Sequence, residues 1–360
     1  MISLEHYGWN NSWQTVWEEQ GFTHYTPARV IAEYGSKYVL ATPDLVSASL
    51  LGALAHKTPA LAMPKVGDWV AVEVTEQHLS MIHAVLPRRS EITRGGATSA
   101  LERQVIASNV DIAFIVQPLD LDFSPERLER YLFQLSSQPI KTVILLNKAD
   151  TAPDSEAKQA ALQHLNVEVV TISALNPNDI QKIEQLIPVG NTAVFMGSSG
   201  VGKSTLTNKL LGTDHQKTQE IRTRDAKGRH TTVHRELFVL PSGGIVIDMP
   251  GVRAVRLWGN MDDLYESFPE IAVALRSCRF PRCTHTSEEG CAVKEGLQNG
   301  TIDPLRYTRF KALQEELSSL EEKRQRREKQ KAINTREHHK RARLRKQQQE
   351  KDADALDWYT

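Results

Sequence analysis

Apolar and polar positions along this chain fall into blocks with different periods. Residues 27–95 hold short runs rich in β-branched and aromatic residues: ARVIAEY, KYVLAT, a middle segment, DWVAVEV and SMIHAVL. Turn signals such as Pro43-Asp44 and Gly67-Asp68 separate them. About five short strands in so compact a stretch predict a small barrel, with the OB type the natural candidate. From 105 to 257 the pattern changes. Continuous apolar runs (DIAFIVQP, KTVILLN, VEVVTIS, TAVFMG, GGIVIDMP) alternate with amphipathic stretches such as PERLERYLFQLSS and DIQKIEQLI. The runs suit strands buried on both faces, and the βαβ alternation predicts a doubly wound parallel sheet.

Ahead of the barrel, Trp9, Trp13 and Trp17 recur every four residues, which puts them on one face of a short helix. Packing on the neighbouring barrel explains such a face more simply than base stacking does. Gly95-Gly96 marks a linker. Beyond 258 the elements shorten around a cysteine cluster. From Pro304 the chain is helix-forming and increasingly charged, and its closing stretch, Asp352–Thr360, is expected to be mobile.

Composition adds an asymmetry. The 360 residues carry 44 basic and 44 acidic side chains, so the formal charge is zero. Between Lys323 and Lys346, however, 12 Lys and Arg meet only Glu328 and Glu337. A body of charge about −10 is thus joined to a segment of about +10, and such a segment implies an anionic partner. Its cations run around much of the helix, leaving no apolar face, and favour contact with RNA phosphates over a merely solvated helix. The barrel segment itself is nearly balanced, with seven Lys and Arg against six Asp and Glu, so a structural and an RNA-binding barrel stand at similar odds. No apolar run approaches the roughly 18 residues of a membrane span, and the first residues lack the pattern of a secretory leader. All three cysteines lie within Cys278–Cys291, a poor disulfide framework that fits a reducing, cytoplasmic setting.

The strongest chemical signal is Gly197-Ser198-Ser199-Gly200-Val201-Gly202-Lys203-Ser204, followed by Thr205. It fits G-x-x-x-x-G-K-[ST], with a strand before it and a helix after it. The glycines let backbone N–H groups wrap a phosphate at a helix N-terminus. Lys203 brings a charge to the β- and γ-phosphates, and the Ser204 hydroxyl is placed for Mg²⁺. Asn147-Lys148-Ala149-Asp150 ends the strand TVILL. A carboxylate there accepts from guanine N1–H and the exocyclic amine. Adenine would leave that acceptor unpaired, at a cost of about 1–3 kcal/mol or more. Ser173-Ala174-Leu175 follows a further strand, where a backbone N–H can reach the guanine carbonyl. Asp248-Met249-Pro250-Gly251 closes another, so that Asp248 can hold the Mg²⁺ shell and the Gly251 N–H a γ-phosphate. Between these lies Gly228-Arg229-His230-Thr231-Thr232, a polar segment suited to a switch loop, with either Thr231 or Thr232 on Mg²⁺.

The order of these motifs is rearranged. The guanine motif precedes the phosphate loop, which precedes the switch segment and the acid, so the GTPase domain is circularly permuted. The switch segments then run directly into residues 258 onward, which offers a route for reporting nucleotide state. Farther on, Cys278, Cys283, His285 and Cys291 offer three thiolates and an imidazole within 14 residues, a closed tetrahedral set suited to structural Zn²⁺. Arg276, Arg279 and Arg282 decorate it and can meet phosphate.

These features together closely resemble the circularly permuted ribosome-assembly GTPases of the RsgA type, over about residues 27–310. The resemblance implies GTP hydrolysis in late maturation of the small ribosomal subunit, stimulated by the ribosome, with rRNA binding and release on hydrolysis. Where that family commonly has D-T-P-G, Met249 replaces the threonine. Many GTPases place a glutamine just after D-x-x-G to orient water; here Val252 stands there and cannot hydrogen-bond. His230 or a ribosomal group must take that role, and the resemblance supports His230.

The expectation is a multidomain α/β protein: an extension over 1–26, an OB-type β-barrel over 27–95, a linker over 96–104, the circularly permuted P-loop GTPase domain with its doubly wound sheet over 105–257, a zinc-binding subdomain over 258–304, and a C-terminal helix with basic tail over 305–360. It is expected to be a cytoplasmic monomer that binds GTP and GDP, rRNA and no membrane. A small-molecule kinase and a non-catalytic RNA chaperone using GTP as a folding ligand are the competing classes. The permuted order with its guanine motif speaks against the kinase.

Overall fold

The computed structural model of the protein describes residues 3–52, 59–75, 79–95, 103–212, 235–249 and 257–356. The chain forms two compact units, one made of residues 1–259 and 265–269, the other of 260–264 and 270–360.

The first unit begins with helix α1 (Asn11–Glu19), whose Asn10 side chain caps it by accepting from the Trp13 N–H. Strands β1 (Thr26–Tyr34), β2 (Lys37–Ala41), β3 (Leu45–Leu50), β4 (Trp69–Glu73) and β5 (Ser80–Val85) follow. They close in the order β1-β2-β3-β5-β4-β1, with β3–β5 parallel and the other pairs antiparallel. This is the five-stranded barrel expected, and the middle segment is β3. Alternate residues, among them Ala28, Val30, Leu40, Val70, Val72 and Ile82, fill its interior. A register shift between Val30 and Ala32 lets β1 bend from β4, which pairs with Thr26–Arg29, to β2, which pairs from Arg29 onward.

The helical tryptophans pack as anticipated. Trp13 and Trp17 are buried, and Trp9, which precedes the helix cap, meets Trp69 of the barrel edge-on at 4.7 Å.

Strands β6 (Glu91–Gly95) and β7 (Arg103–Ser108) form an antiparallel pair that flanks and partly enters the expected linker. The two strands are joined by only seven residues, and each is too short to show a clear period. The six-stranded part of the main sheet then assembles from β8 (Ile112–Pro118), β9 (Lys141–Asn147), β10 (Glu168–Thr171), β11 (Thr192–Met196), β12 (Glu236–Val239) and β13 (Ile245–Asp248). Its order is β10-β9-β8-β11-β13-β12, parallel except for β12. Strand β12 was not anticipated; its four residues are too few to show a period. It also pairs with β1 at Ala32 and Glu236, so barrel and sheet are continuous. Helices α2 (Pro125–Leu135), α3 (Pro177–Gln185) and α4 (Lys203–Leu211) sit between strands in the chain. The first two are capped by Ser124 and Asn176, each followed by a proline at the first helical position.

Arg29 joins the pieces. It is 2% exposed. Its Nε donates to Gly67 O at 3.3 Å, Nη1 to Tyr7 O, and Nη2 to Asn109 O at 3.3 Å and Thr192 Oγ1 at 2.8 Å. One side chain thus binds the N-terminal segment, the barrel and the start of β11.

The second unit is built on α5 (Pro269–Arg276), α6 (Ala292–Asn299) and α7 (Pro304–Leu356). Phe310, Leu313 and Leu317 are buried on α7 at helical spacing. The helix runs to Leu356, so part of the stretch expected to be mobile is helical. Ala353, Ala355 and Leu356, with no glycine or proline in the stretch, favour that continuation. No helix among the described residues is long and apolar enough to cross a membrane.

Asp68 shows how tightly the barrel rim is set. It is fully buried, accepts from Arg88 Nε and Nη2 at 2.8 Å each, and accepts from the Lys65 N–H at 2.7 Å. Arg88 keeps Glu91 at 3.0 Å as a second acid, so removing Asp68 costs its buried charge-assisted hydrogen bonds without leaving the guanidinium unpaired. Asp68→Ala is therefore expected to cost about 1.5–3 kcal/mol in denaturant unfolding; a loss below about 0.5 kcal/mol would contradict this account.

Candidate nucleotide site and metal cluster

Strand β11 is buried along its whole length and delivers the chain to Gly197. Gly197, Gly200 and Gly202 have φ of 144°, 82° and 104°, a region that disfavours side chains. The space is tight as well. A Cβ on Gly197 would collide with Val116 O of β8, and one on Gly202 with the Asn147 amide. The loop therefore lies against the ends of β8 and β9. Helix α4 starts at Lys203, so the N–H groups of Lys203, Ser204 and Thr205 fall in its first turn, where helices leave donors unpaired. Lys203 Nζ lies across the loop, donating to Gly197 O at 2.7 Å and Ser198 O at 2.6 Å. Burial pulls its ammonium below the usual lysine range, while Asp248 pulls it back up. Asp248, at the end of β13, is thus brought to the same site.

The guanine motif converges there too. Asn147, buried at the end of β9, donates from Nδ2 to Val201 O at 2.8 Å and accepts at Oδ1 from the Ala174 N–H at 3.0 Å. One amide ties three sequence motifs together. Lys148 adopts a left-handed backbone, φ 67°, and its ammonium pairs with Asp120 at 2.8 Å. The Ala149 N–H donates to Ile172 O at 3.1 Å. Asp150 is exposed beside them. Ser173 Oγ accepts from the Leu175 N–H at 3.3 Å. With its N–H given to Asn147, Ala174 is engaged within the protein. Met249 is buried. His230, Thr231, Thr232 and Gly251 lie outside the described residues, as does Val252.

Two residues at this site went unnoticed in the sequence. Arg127 Nη1 donates to Ser198 Oγ at 3.1 Å while its guanidinium grips Asp122 at 2.6 and 2.8 Å. Tyr131, one turn further along α2, is buried and also hydrogen-bonds Ser198. Burial raises the Tyr131 hydroxyl above the usual tyrosine range. Together they anchor the outer wall of the phosphate loop to α2. Their i, i+4 spacing just after the Ser124-Pro125 helix start was the available signal. An ion pair this exposed, with side chains 32% and 51% accessible, is worth little in itself, so the positioning of Ser198 carries the effect. Arg127→Ala is expected to weaken GDP binding about fivefold, roughly 1 kcal/mol, read by calorimetry. Unchanged affinity would show that the loop holds its shape unaided.

In the second unit, the ligand atoms of Cys278, Cys283, His285 and Cys291 all lie within 4.8 Å of one another. His285 Nδ1 is 3.6 Å from Cys278 Sγ and 3.5 Å from Cys291 Sγ. A tetrahedral zinc with Zn–S near 2.3 Å and Zn–N near 2.0–2.1 Å requires an S···N edge of about 3.5 Å, so the donor set fits that ion. Cys278 follows α5 and Cys291 caps α6, its sulfur accepting from the Lys294 N–H at 3.5 Å. His285 takes a left-handed backbone, φ 61°. Desolvation, with added hydrogen bonds to Cys291 and Cys278, pushes the Cys283 thiol up to about 11. Desolvation also lowers His285 and favours its neutral, metal-binding form.

Glu288 holds the loop between these ligands. Its carboxylate accepts from Thr284 N and Oγ1, both at 2.6 Å, and from the N–H groups of Thr286 and Ser287 at 3.1 and 3.2 Å. The hydrogen bonds from Thr284 are the chief cause of a carboxyl lowered to about 2. A depressed acid stabilises the fold fully above its ordinary value, near 4.5, and loses that contribution as pH falls toward 2. The stability gap between wild type and Glu288→Gln should therefore be widest at neutral pH and narrow below about 4.5. A gap independent of pH in parallel denaturation curves would count against this.

The family model described as RsgA GTPase matches residues 85–258. A "Small ribosomal subunit biogenesis GTPase RsgA" of Opitutus terrae is 40% identical over 329 residues, covering 88% of this chain and 90% of that one. A relative of the same name in Xanthomonas oryzae pv. oryzae is 41% identical over 303 residues, 82% of each. Among solved structures, YjeQ from Thermotoga maritima superposes with a TM-score of 0.61 at 23% identity, over 81% of this chain and 98% of that one. YloQ, described as a circularly permuted GTPase, gives 0.60 at 22% identity, over 83% and 96%. These last two bear on the fold alone. With its guanine motif ahead of its phosphate loop in a single sheet, and relatives matched along most of its length, the chain belongs to the RsgA GTPase family of GTP-hydrolysing enzymes.

Proposed function

We propose that the protein acts as a GTP-driven timer in late maturation of the small ribosomal subunit, binding rRNA in its GTP state and leaving matured particles after hydrolysis. The reading draws on the relatives' names. The observation that carries it is the double hydrogen bond of Asn147, which draws the guanine motif, the Ser173–Leu175 loop and the phosphate loop into one pocket. In this assignment Asn147, Lys148, Ala149, Asp150, Ser173 and Ala174 form the base pocket, with Asn147 and Ala174 shaping it through the hydrogen bond between them. Gly197 through Thr205 cradle the phosphates, and Gly251 meets the γ-phosphate. On binding, Lys203 exchanges its two loop carbonyls for phosphate oxygens. The Ser204 hydroxyl and Asp248, with Thr231 or Thr232, form an all-oxygen set that suits Mg²⁺. When bound, that ion neutralises charge developing on the β- and γ-oxygens.

His230 is assigned to orienting the attacking water, since Val252 cannot hydrogen-bond. Turnover of the protein alone is slow in this reading, and the small subunit raises it. The cysteine–histidine cluster holds one structural Zn²⁺. The barrel, the arginines around the cluster and the 12 cations of 323–346 supply the rRNA contacts. The domain divisions read from the sequence, a monomeric state, and a cytoplasmic site of action without membrane attachment complete the proposal.

The test is GTP turnover alone, with small subunits, and with large subunits as control. Small subunits should raise the rate at least tenfold, and His230→Ala should lose at least tenfold of the stimulated rate with GTP affinity retained. Equal rates in all three conditions would remove the ribosomal role. An unchanged His230→Ala rate would remove that residue's assignment.

A further inference from the structure

A cavity of about 270 Å³ opens at the junction held by Arg29, lined by residues of the N-terminal segment, the β5–β6 connection, and the starts of β8 and β11. It lies at the end of the parallel strands opposite the phosphate loop. Strand β11 enters it at Thr192 and reaches Gly197 about 16 Å further on, at roughly 3.3 Å per residue. It is therefore separate from the nucleotide site.

Its charges are unbalanced. Two arginines line it, Arg29 and Arg89, against one acid, Asp111. Asp111 accepts from the Thr192 N–H at 2.7 Å, and no ion pair between it and either arginine occurs among the described residues. Asp68, the other acid that acts on Arg29, is held bidentately by Arg88. Every hydrogen bond that Arg29 makes goes to a neutral oxygen: three carbonyls and one hydroxyl. Of its five N–H donors, these use four. The fifth, on Nη1, has no partner among the described residues, and Nη1 is close to Gly8, which lines the cavity. Burial pulls the Arg29 guanidinium down to about 10 despite both acids, and at neutral pH it still carries its charge. Arg89 sits over the Trp13 ring with its guanidinium carbon 3.7 Å from the centroid and donates to Ser12 Oγ at 2.7 Å. Asn10, Asn109 and Asn191 complete a polar wall. A buried cation satisfied only by neutral dipoles is stabilised by an anion that can reach it.

We propose that this cavity binds a small tetrahedral oxyanion, free phosphate or the head of a phosphomonoester, through Arg29 and Arg89. The two arginines supply the charge, and the asparagines supply neutral donors. Because Arg29 ties the N-terminal segment, the barrel and β11 together, an occupant there stabilises that junction, and its binding is visible as resistance to unfolding.

Thermal unfolding of the full-length protein tests this. The phosphate loop is first filled with Mg²⁺ and a saturating non-hydrolysable GTP analogue, whose binding is verified separately, so that failure of the nucleotide assignment is seen on its own. Inorganic phosphate and glycerol 3-phosphate are then titrated at constant ionic strength against chloride. The site predicts a saturable rise in Tm with phosphate that chloride does not give. A matching rise with glycerol 3-phosphate identifies a phosphomonoester as an acceptable source; a rise with phosphate alone restricts the site to the free ion. Arg89→Gln should raise the half-saturating concentration at least tenfold. Asn191→Asp, which adds a negative charge to the wall without touching either arginine, should do the same and guards against a fold defect in the first variant. The proposal falls if phosphate behaves as chloride does, or if both variants respond like the wild type.

Discussion

One side-chain amide sets the geometry of the G domain. Asn147 gives its two ends to different loops, and neither loop can shift without breaking a buried hydrogen bond. A buried polar group left unpaired costs about 1–3 kcal/mol, so the three motifs are held together by necessity rather than by chain order. This is what makes permutation tolerable. The parallel sheet places the ends of β8, β9, β11 and β13 on one side whichever strand the chain visits first. Opening the chain elsewhere changes the connections and leaves the amide where it was.

The same principle of one polar group serving several pieces recurs at the far end of the strands. Arg29 binds the N-terminal segment, the barrel and β11 through neutral oxygens. The tryptophans then seal the junction, with Trp9 and Trp13 both within ring-contact distance of Trp69. The first unit is thus pinned at both ends of its parallel strands by a single polar residue, an amide at one and a guanidinium at the other. In the second unit the comparable role falls to Glu288, which binds four donors of the loop that runs through the cysteine–histidine cluster.

Much of the candidate nucleotide site is legible in the sequence because its chemistry is local. GSSGVGKS, NKAD and the cysteine cluster depend on residue types at short spacings, and each sits at the end of a strand or helix that periodicity finds. What escaped notice depends on distant partners. Arg127 and Tyr131 gain their role only when α2 lies against Ser198, 71 residues from Arg127. Arg29 looked like an ordinary strand residue until Thr192, 163 positions away, closed on it. Strands β6, β7 and β12 have five, six and four residues, too few to carry a readable period. The helix beyond Asp352 differs from expectation for the opposite reason: chain ends commonly fray, but alanine and leucine here continue the helix.

The join between β1 and β12 has a consequence of its own. Strand β12 is one edge strand of the GTPase sheet, and its outer side would otherwise offer a row of bare backbone donors and acceptors to any extended peptide. The barrel covers that side at Ala32 and Glu236. The small barrel thereby serves as a cap on this edge against strand-to-strand self-association, independently of whatever it touches on its other faces.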